Sequence, residues 1–366
     1  MLSPAQSRPR ARGRTGLEES LWRAGFALWL GLHFATQVWP MEGVLRPLGA
    51  LGLAGALLLG LGWRDRPAAV LLAVLWLLRP LPHDPWRLDW IVLVLLALQA
   101  CVPFAPYGTL AGARRLDPGG GWSLPGWIAH ARFAALFACS LFVLLPRNGV
   151  MLDAVHALDL EALETWLLPL GIAGALLPLC MRAPALGWWW AAFLGAALYV
   201  SFEPGKEISR QYLWLALAAS FQPGWIPPRA ARESEQLFFD GGCALCHGFV
   251  RFVLAEDASG TAFRFAPLDS AALRAALPAE ERARLPDSLV VRTAQGRVLV
   301  RSAAVLHVLQ RLGGSWRILG CVLWLVPLPL RDLAYVGLAA LRRGLFGRAR
   351  QACPLLPRHL RARFDA

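Results

Sequence analysis

Residues 238–247 read Phe-Phe-Asp-Gly-Gly-Cys-Ala-Leu-Cys-His, and their reading decides the fold of the last third of the chain. The apolar run at 237–239 predicts a short buried strand. Asp240-Gly241-Gly242 is turn chemistry: the aspartate bonds its own backbone, and the glycines bring no Cβ into a tight bend. Cys243 then opens a segment whose apolar residues, Phe249, Val250, Phe252, Val253 and Leu254, recur with a helical period. Two cysteines at C-x-x-C spacing therefore fall on the first turn of a helix that follows a strand. Free N–H groups and the positive end of the helix dipole favour a thiolate there. On this reading Cys243 is the exposed nucleophile, and Cys246 resolves the mixed disulfide that it forms.

Working outward, the C-terminal part alternates strand and helix. Strands are predicted at 236–239, 261–266, 288–293 and 297–301, and helices at 243–256, 269–276, 279–285 and 302–312. Residues 315–347 hold at least two more helices. Pro327, Pro329, Arg331 and Asp332 interrupt their apolar runs, which predicts an amphipathic pair packed on the domain or lying on a membrane surface. A Pro-rich, then charged linker covers 223–235.

The string FFDGGCALCHGFVRFVL resembles the signature of the DCC family of thiol-disulfide oxidoreductases. The resemblance continues through FRFAPLDS at 263–270, DSLVVRT at 287–293 and GRVLVRSAAVLHVLQRLGG at 296–314. It covers roughly residues 235–357 and ends on Cys353-Pro354. It implies an α/β thioredoxin-like domain over 236–366 that works through a Cys243/Cys246 dithiol–disulfide couple. Asp240 would manage protons for Cys246. Pro286 would be the cis-proline that presents backbone to substrate, and Cys353 a third redox cysteine.

Other readings stay open beside this one. The pair is also a structural cysteine pair, or half a zinc site that Cys353 with His247 or His359 would complete; a single C-x-x-C is a poor start for zinc. CALCH is literally the c-type haem attachment pattern, with His247 as axial ligand. His247 reads otherwise as a helix-surface residue tuning the adjacent thiols, and Asp240 as a turn former at the helix start.

The first two-thirds of the chain differ in character. Hydrophobic residues make up 57% of the 366, with 17 tryptophans. After a basic tail at 1–16, apolar runs recur near 21–39, 44–62, 67–81, 88–105, 127–146, 166–181, 186–202 and 209–222. They predict an N-terminal α-helical polytopic membrane bundle of about 6–8 spans over 17–222. The net charge of +13 is nearly all arginine, Lys206 being the sole lysine. The arginines flank apolar runs and form no basic–aromatic face, so no nucleic-acid partner is expected. With the positive-inside rule they place the termini and the C-x-x-C in the cytoplasm of a bacterial inner-membrane protein. Residues 83–110 resemble a segment of the transmembrane domain shared by vitamin K-dependent gamma-carboxylases and their bacterial relatives.

Cys101, Cys139 and Cys180 are expected as small buried hydrophobes and Cys321 as packing. His33, His83, His130 and residues 203–207 are the ionisable candidates of the N-terminal part. The expected partners are a disulfide-bearing client or thiol electron donor, and the lipid bilayer. No cofactor beyond the redox-active disulfide is expected, with a quinone as candidate electron acceptor. Two other classes of function fit: a non-catalytic scaffold with a partner-binding domain, and a lipid or quinone enzyme with an accessory redox domain.

Overall fold

The computed structural model of the chain describes residues 13–40, 43, 45–79, 90–113, 115–120, 122–144, 189, 207–229, 233–257, 259–345 and 357–365. The chain divides into two compact units. One comprises Glu18–Ala111 and Leu124–Trp225, the other Met1–Leu17, Gly112–Ser123 and Ile226–Ala366.

The first unit is helical. Helix α1 spans Gly16–His33 and runs into a π-helical turn at Phe34–Val38. It is followed by α2 (Leu45–Leu61), α3 (Asp65–Leu78), α4 (Trp90–Ala100), α5 (Leu110–Ala113), α6 (Gly126–Leu144) and α7 (Glu207–Ser220). Their shared core holds Phe26, Leu30, Phe34, Leu59, Leu72 and Trp76. His33 stacks on Trp29 and lies 4.6 Å from the Trp76 ring, so it belongs to an aromatic cluster.

Among the described residues no single helix is long and apolar enough to cross a membrane, which overturns the expected polytopic membrane bundle. The reason is partly length. Helices α2, α3 and α4 hold 17, 14 and 11 residues, or about 26, 21 and 17 Å at 1.5 Å per residue, against a hydrocarbon core of about 30 Å. It is partly charge: α1 carries Glu18, Glu19 and Arg23, all buried. Arg132 forks onto Glu19 at 2.8 and 2.6 Å. Burial pushes the Arg23 guanidinium down and the Asp65 carboxyl up, each against the pull of the other's charge. Apolar run length is blind to such interior ion pairs. The runs at 166–181 and 186–202, His83, Lys206, Cys139 (its side chain) and Cys180 lie outside the described residues, Trp189 excepted. Cys101, expected buried, is exposed.

The C-terminal third, expected as a thioredoxin-like domain, holds a small mixed sheet. Strand β1 (Glu235–Phe239) leads through α8 (Ala244–Glu256) to β2 (Phe263–Pro267), then α9 (Ala271–Ala276) and α10 (Ala279–Ala283). Next come β3 (Val290–Arg292), β4 (Val298–Val300), α11 (Arg301–Leu312), α12 (Gly314–Trp324), α13 (Leu328–Leu345) and α14 (Arg358–Arg361). The order is β2-β1-β3-β4, with β1 parallel to β2 and antiparallel to β3. Side chains alternate across β1 with the two-residue period of a strand. Leu237 and Phe239 enter a core with Val250, Val253, Phe265 and Val308; Phe238 enters the opposite one with Ala266, Leu273 and Val290. Both faces are covered, which is why 237–239 reads as an unbroken apolar run.

Helices α12 and α13 are long and apolar enough for a span only when taken together, and the two are bent by 115°. They pack on the domain. A Cβ at Gly320 would stand 3.2 Å from Gln310 Cγ, so glycine lets α12 approach α11 closely. Gly313, at φ 77°, makes the turn between these helices, and a Cβ there would meet the Pro228 backbone at 2.7 Å. Tyr335 Oη accepts the Leu289 N–H at 2.9 Å, tying α13 to the chain entering β3. Asp332 accepts from the Ser302 N–H and hydroxyl at the start of α11. Cys321, expected as packing, is exposed.

Two polar anchors frame this unit. Buried Glu235 accepts from His307 Nε2 at 2.7 Å, Arg311 Nε at 3.2 Å and the Ala294 N–H at 3.3 Å. Glu256 accepts from Trp316 Nε1 at 2.7 Å, the Leu17 N–H at 3.2 Å and the Thr15 hydroxyl.

A thiol site at a helix start

The site is built where β1 ends and α8 begins. Asp240 Oδ1 accepts the Gly242 N–H at 2.8 Å, and the Cys243 N–H bonds back to the Asp240 carbonyl at 3.2 Å. The turn therefore forms as its residue types demand, with the aspartate bonding the backbone two residues on.

Cys243 is the N-cap of α8, its backbone extended at φ −101° and ψ 117°. Its Sγ accepts the Cys246 N–H at 3.3 Å, the position that a serine or aspartate cap oxygen occupies elsewhere. A sulfur held on a first-turn N–H faces the positive end of the helix. Cys246 stands one turn along the same helix. Neither cysteine is in a disulfide.

Their exposures reverse the order expected from the sequence. Cys243 is 8% exposed, while Cys246 is only partly buried. The first cysteine is covered because capping turns its side chain back over the helix start. The second emerges on the side of α8 that faces α11 and α13, where it lines a half-open cavity of about 640 Å³.

His247 reaches back over the turn. Its Nε2 donates to the Gly241 carbonyl at 2.9 Å, and its ring stands edge-on to Phe239 at 5.3 Å. This bond braces the loop against the helix. Among the described residues no cluster of three or more His, Cys, Asp or Glu could hold a metal ion. His359 pairs instead with Asp117 at 3.1 Å.

Pro286 precedes β3 but has an ordinary trans peptide bond, since the described residues contain no cis peptide. The expected cis-proline is thus not there. Leu289, nearer the strand, is the residue of this segment that lines the cavity. Cys353 lies outside the described residues. Ser302, Arg331 and Tyr335 also line the cavity, and sequence reasoning missed all three. The charged break at 331–332 in an otherwise apolar run was a signal for Arg331 alone.

The family described as DCC1-like thiol-disulfide oxidoreductase matches residues 237–348, from β1 to the end of α13. The chain is 33% identical over 132 residues to the Bacillus subtilis (strain 168) protein named "Uncharacterized protein YuxK", covering 35% of this chain and 91% of that protein. It is 34% identical over 119 residues to the Arabidopsis thaliana "DCC family protein At1g52590, chloroplastic", covering 32% of this chain and 68% of that protein. Through its C-terminal third the chain belongs to the DCC family of thiol-disulfide oxidoreductases. No solved structure matches it. The resemblance of residues 83–110 to the gamma-carboxylase relatives gains no support from these matches.

Proposed function

We propose that this protein is a thiol-disulfide oxidoreductase working through Cys243 and Cys246. The observation that carries the reading is the Cys246 N–H bond to Cys243 Sγ at 3.3 Å, which sets a dithiol within the first turn of one helix. The family to which the domain belongs supports it. In the reducing direction one cysteine sulfur attacks a substrate S–S bond and one thiol leaves. The second cysteine attacks the mixed disulfide, the other thiol leaves, and Cys243–Cys246 closes. Two electrons and two protons pass to the substrate. The Cys246 N–H holds the Cys243 sulfur at the helix start, and Asp240 and His247 hold the loop that carries it. The client or thiol donor that completes a cycle is a disulfide- or dithiol-bearing partner.

Brief exposure of the reduced protein to glutathione disulfide, an acid quench and mass-tagging of remaining thiols tests this reading. The expected result is loss of two taggable thiols together, mapping to Cys243 and Cys246. Persistence of both as free thiols, or stable glutathionylation without ring closure, would leave a binding domain and not an oxidoreductase.

A further inference from the structure

We infer that the cavity beside Cys246 is the substrate pocket of the dithiol, and that it takes a small amphipathic disulfide: an apolar body bearing a carboxylate. This rests on the exchange chemistry proposed above and adds to it the class of substrate.

The cavity of about 640 Å³ lies within the range of roughly 300–1,000 Å³ that small-molecule sites occupy. Its walls come from α8, the approach to β3, α11 and the α12–α13 pair. Phe249, Val305, Leu306, Leu323, Ala334 and Leu338 make them almost wholly apolar, and no acidic residue lines them. A peptide-like, multiply charged disulfide would strand its amides and charges against such walls.

The few polar groups sort into two kinds. The Ser302 hydroxyl is held by Asp332, and Tyr335 Oη accepts from the Leu289 N–H. Both are engaged in fixing the walls. Two groups carry chemistry for a ligand: Cys246, whose sulfur takes part in the exchange, and Arg331, whose Nε is buried with no hydrogen-bond partner among the described residues. A buried donor left unsatisfied costs stability, and a guanidinium in an apolar wall matches a carboxylate in shape and charge. Cysteine and arginine thus set the two polar features of the ligand, a disulfide and an acid, on an otherwise apolar body.

The step balances without a further reagent. The Cys246 sulfur bonds to one substrate sulfur as the substrate S–S bond breaks. Cys243 then bonds to Cys246 and displaces that sulfur. A single turnover yields one protein disulfide and the reduced substrate.

Lipoate, a cyclic disulfide on an alkyl carboxylate, is the probe. Single-turnover rates of the reduced full-length protein are measured with lipoate, with its neutral amide and with glutathione disulfide. Each is divided by the rate of dithiothreitol with the same disulfide. The normalised rate for lipoate is expected to exceed that for glutathione disulfide by about tenfold or more, the discrimination an apolar pocket supplies. Ala334→Trp and Ala339→Phe, which fill the cavity, should remove that advantage, bringing the normalised lipoate rate down to that of glutathione disulfide or below it. Arg331→Leu should slow lipoate by about tenfold, the worth of a hydrogen bond to a charged group, and leave the amide unaffected. Octanoate, the same chain without sulfur, should protect Cys246 from alkylation in the wild type and not in Ala334→Trp.

Equal normalised rates for the three disulfides, insensitive to both filling variants, would overturn the pocket and leave exchange standing. Octanoate protection with no reaction towards any disulfide would instead overturn the exchange chemistry, and the substrate role with it.

Discussion

Cys243→Ser is expected to trap a mixed disulfide on Cys246, whereas Cys246→Ser traps little on Cys243. Both variants lose the intramolecular disulfide completely, because ring closure needs both sulfurs. They differ in what remains. Exchange rates depend on access as well as on thiolate character. Cys243 is 8% exposed, with Sγ held on the Cys246 N–H, while Cys246 opens on the cavity. With Cys243 gone, Cys246 still meets the incoming disulfide and nothing displaces the adduct. With Cys246 gone, a covered thiol is left to react. Intact mass after mixing with an aromatic chromogenic disulfide reads both outcomes. A long-lived adduct on Cys243 in the Cys246→Ser protein, and none in the converse variant, would restore the order of roles that the sequence suggests.

Glu235→Ala is expected to destabilise the sheet of the same unit by about 3–5 kcal/mol, the cost of removing one partner of a buried ion pair. The carboxylate starts β1 and gathers His307 and Arg311 from α11 with the Ala294 N–H. Its loss leaves buried donors unpaired. The wild type should show the matching pH dependence. Burial alone would push the Glu235 carboxyl up, but the His307 hydrogen bond and charge, the Ala294 N–H and Arg311 outweigh it and hold the group below its ordinary value. A depressed folded value means that the unfolded chain takes up the proton first. The contribution is therefore whole above the ordinary glutamate value of about 4.3 and is lost as pH falls through the lower folded value. Hydrogen exchange at the β1 amides, followed from neutral to acid pH, reports this locally. Early acid loss of protection in the wild type, absent in Glu235→Gln, is the predicted pattern. Replacing Glu235, His307 and Arg311 together by leucine should restore much of the lost stability. An unchanged β1 exchange rate in Glu235→Ala would show that this cluster does not anchor the strand.

The strands and helices of the C-terminal third were legible because their signals are local. The unbroken run at 237–239 marks a strand covered on both faces, and the period of Phe249, Val250, Val253 and Leu254 marks α8. Asp240 and the glycines named the turn, and the cysteine spacing placed both thiols at one helix start. Which cysteine is open was not legible. The Cys243 sulfur is covered as the N-cap of α8, and the cavity onto which Cys246 opens depends on where α13 lies, which is set by Tyr335 reaching Leu289 and Asp332 reaching Ser302, contacts 46 and 30 residues apart in sequence. The cavity was hidden for the same reason. The membrane-bundle expectation failed where local counting ignores partners. Glu19 and Arg132 are 113 residues apart, and only the fold shows that they face each other in the interior.

The most direct test of the central claim is an equilibrium redox titration of the purified full-length protein in thiol–disulfide buffers, with Cys243 and Cys246 read by mass-tag trapping. The account predicts that both thiols disappear together in one two-electron transition, a tenfold change in equilibrium constant for about 30 mV, and that the transition is absent in Cys243→Ser and in Cys246→Ser. Two cysteines that titrate independently, or that stay reduced across the whole range of buffers, would contradict it.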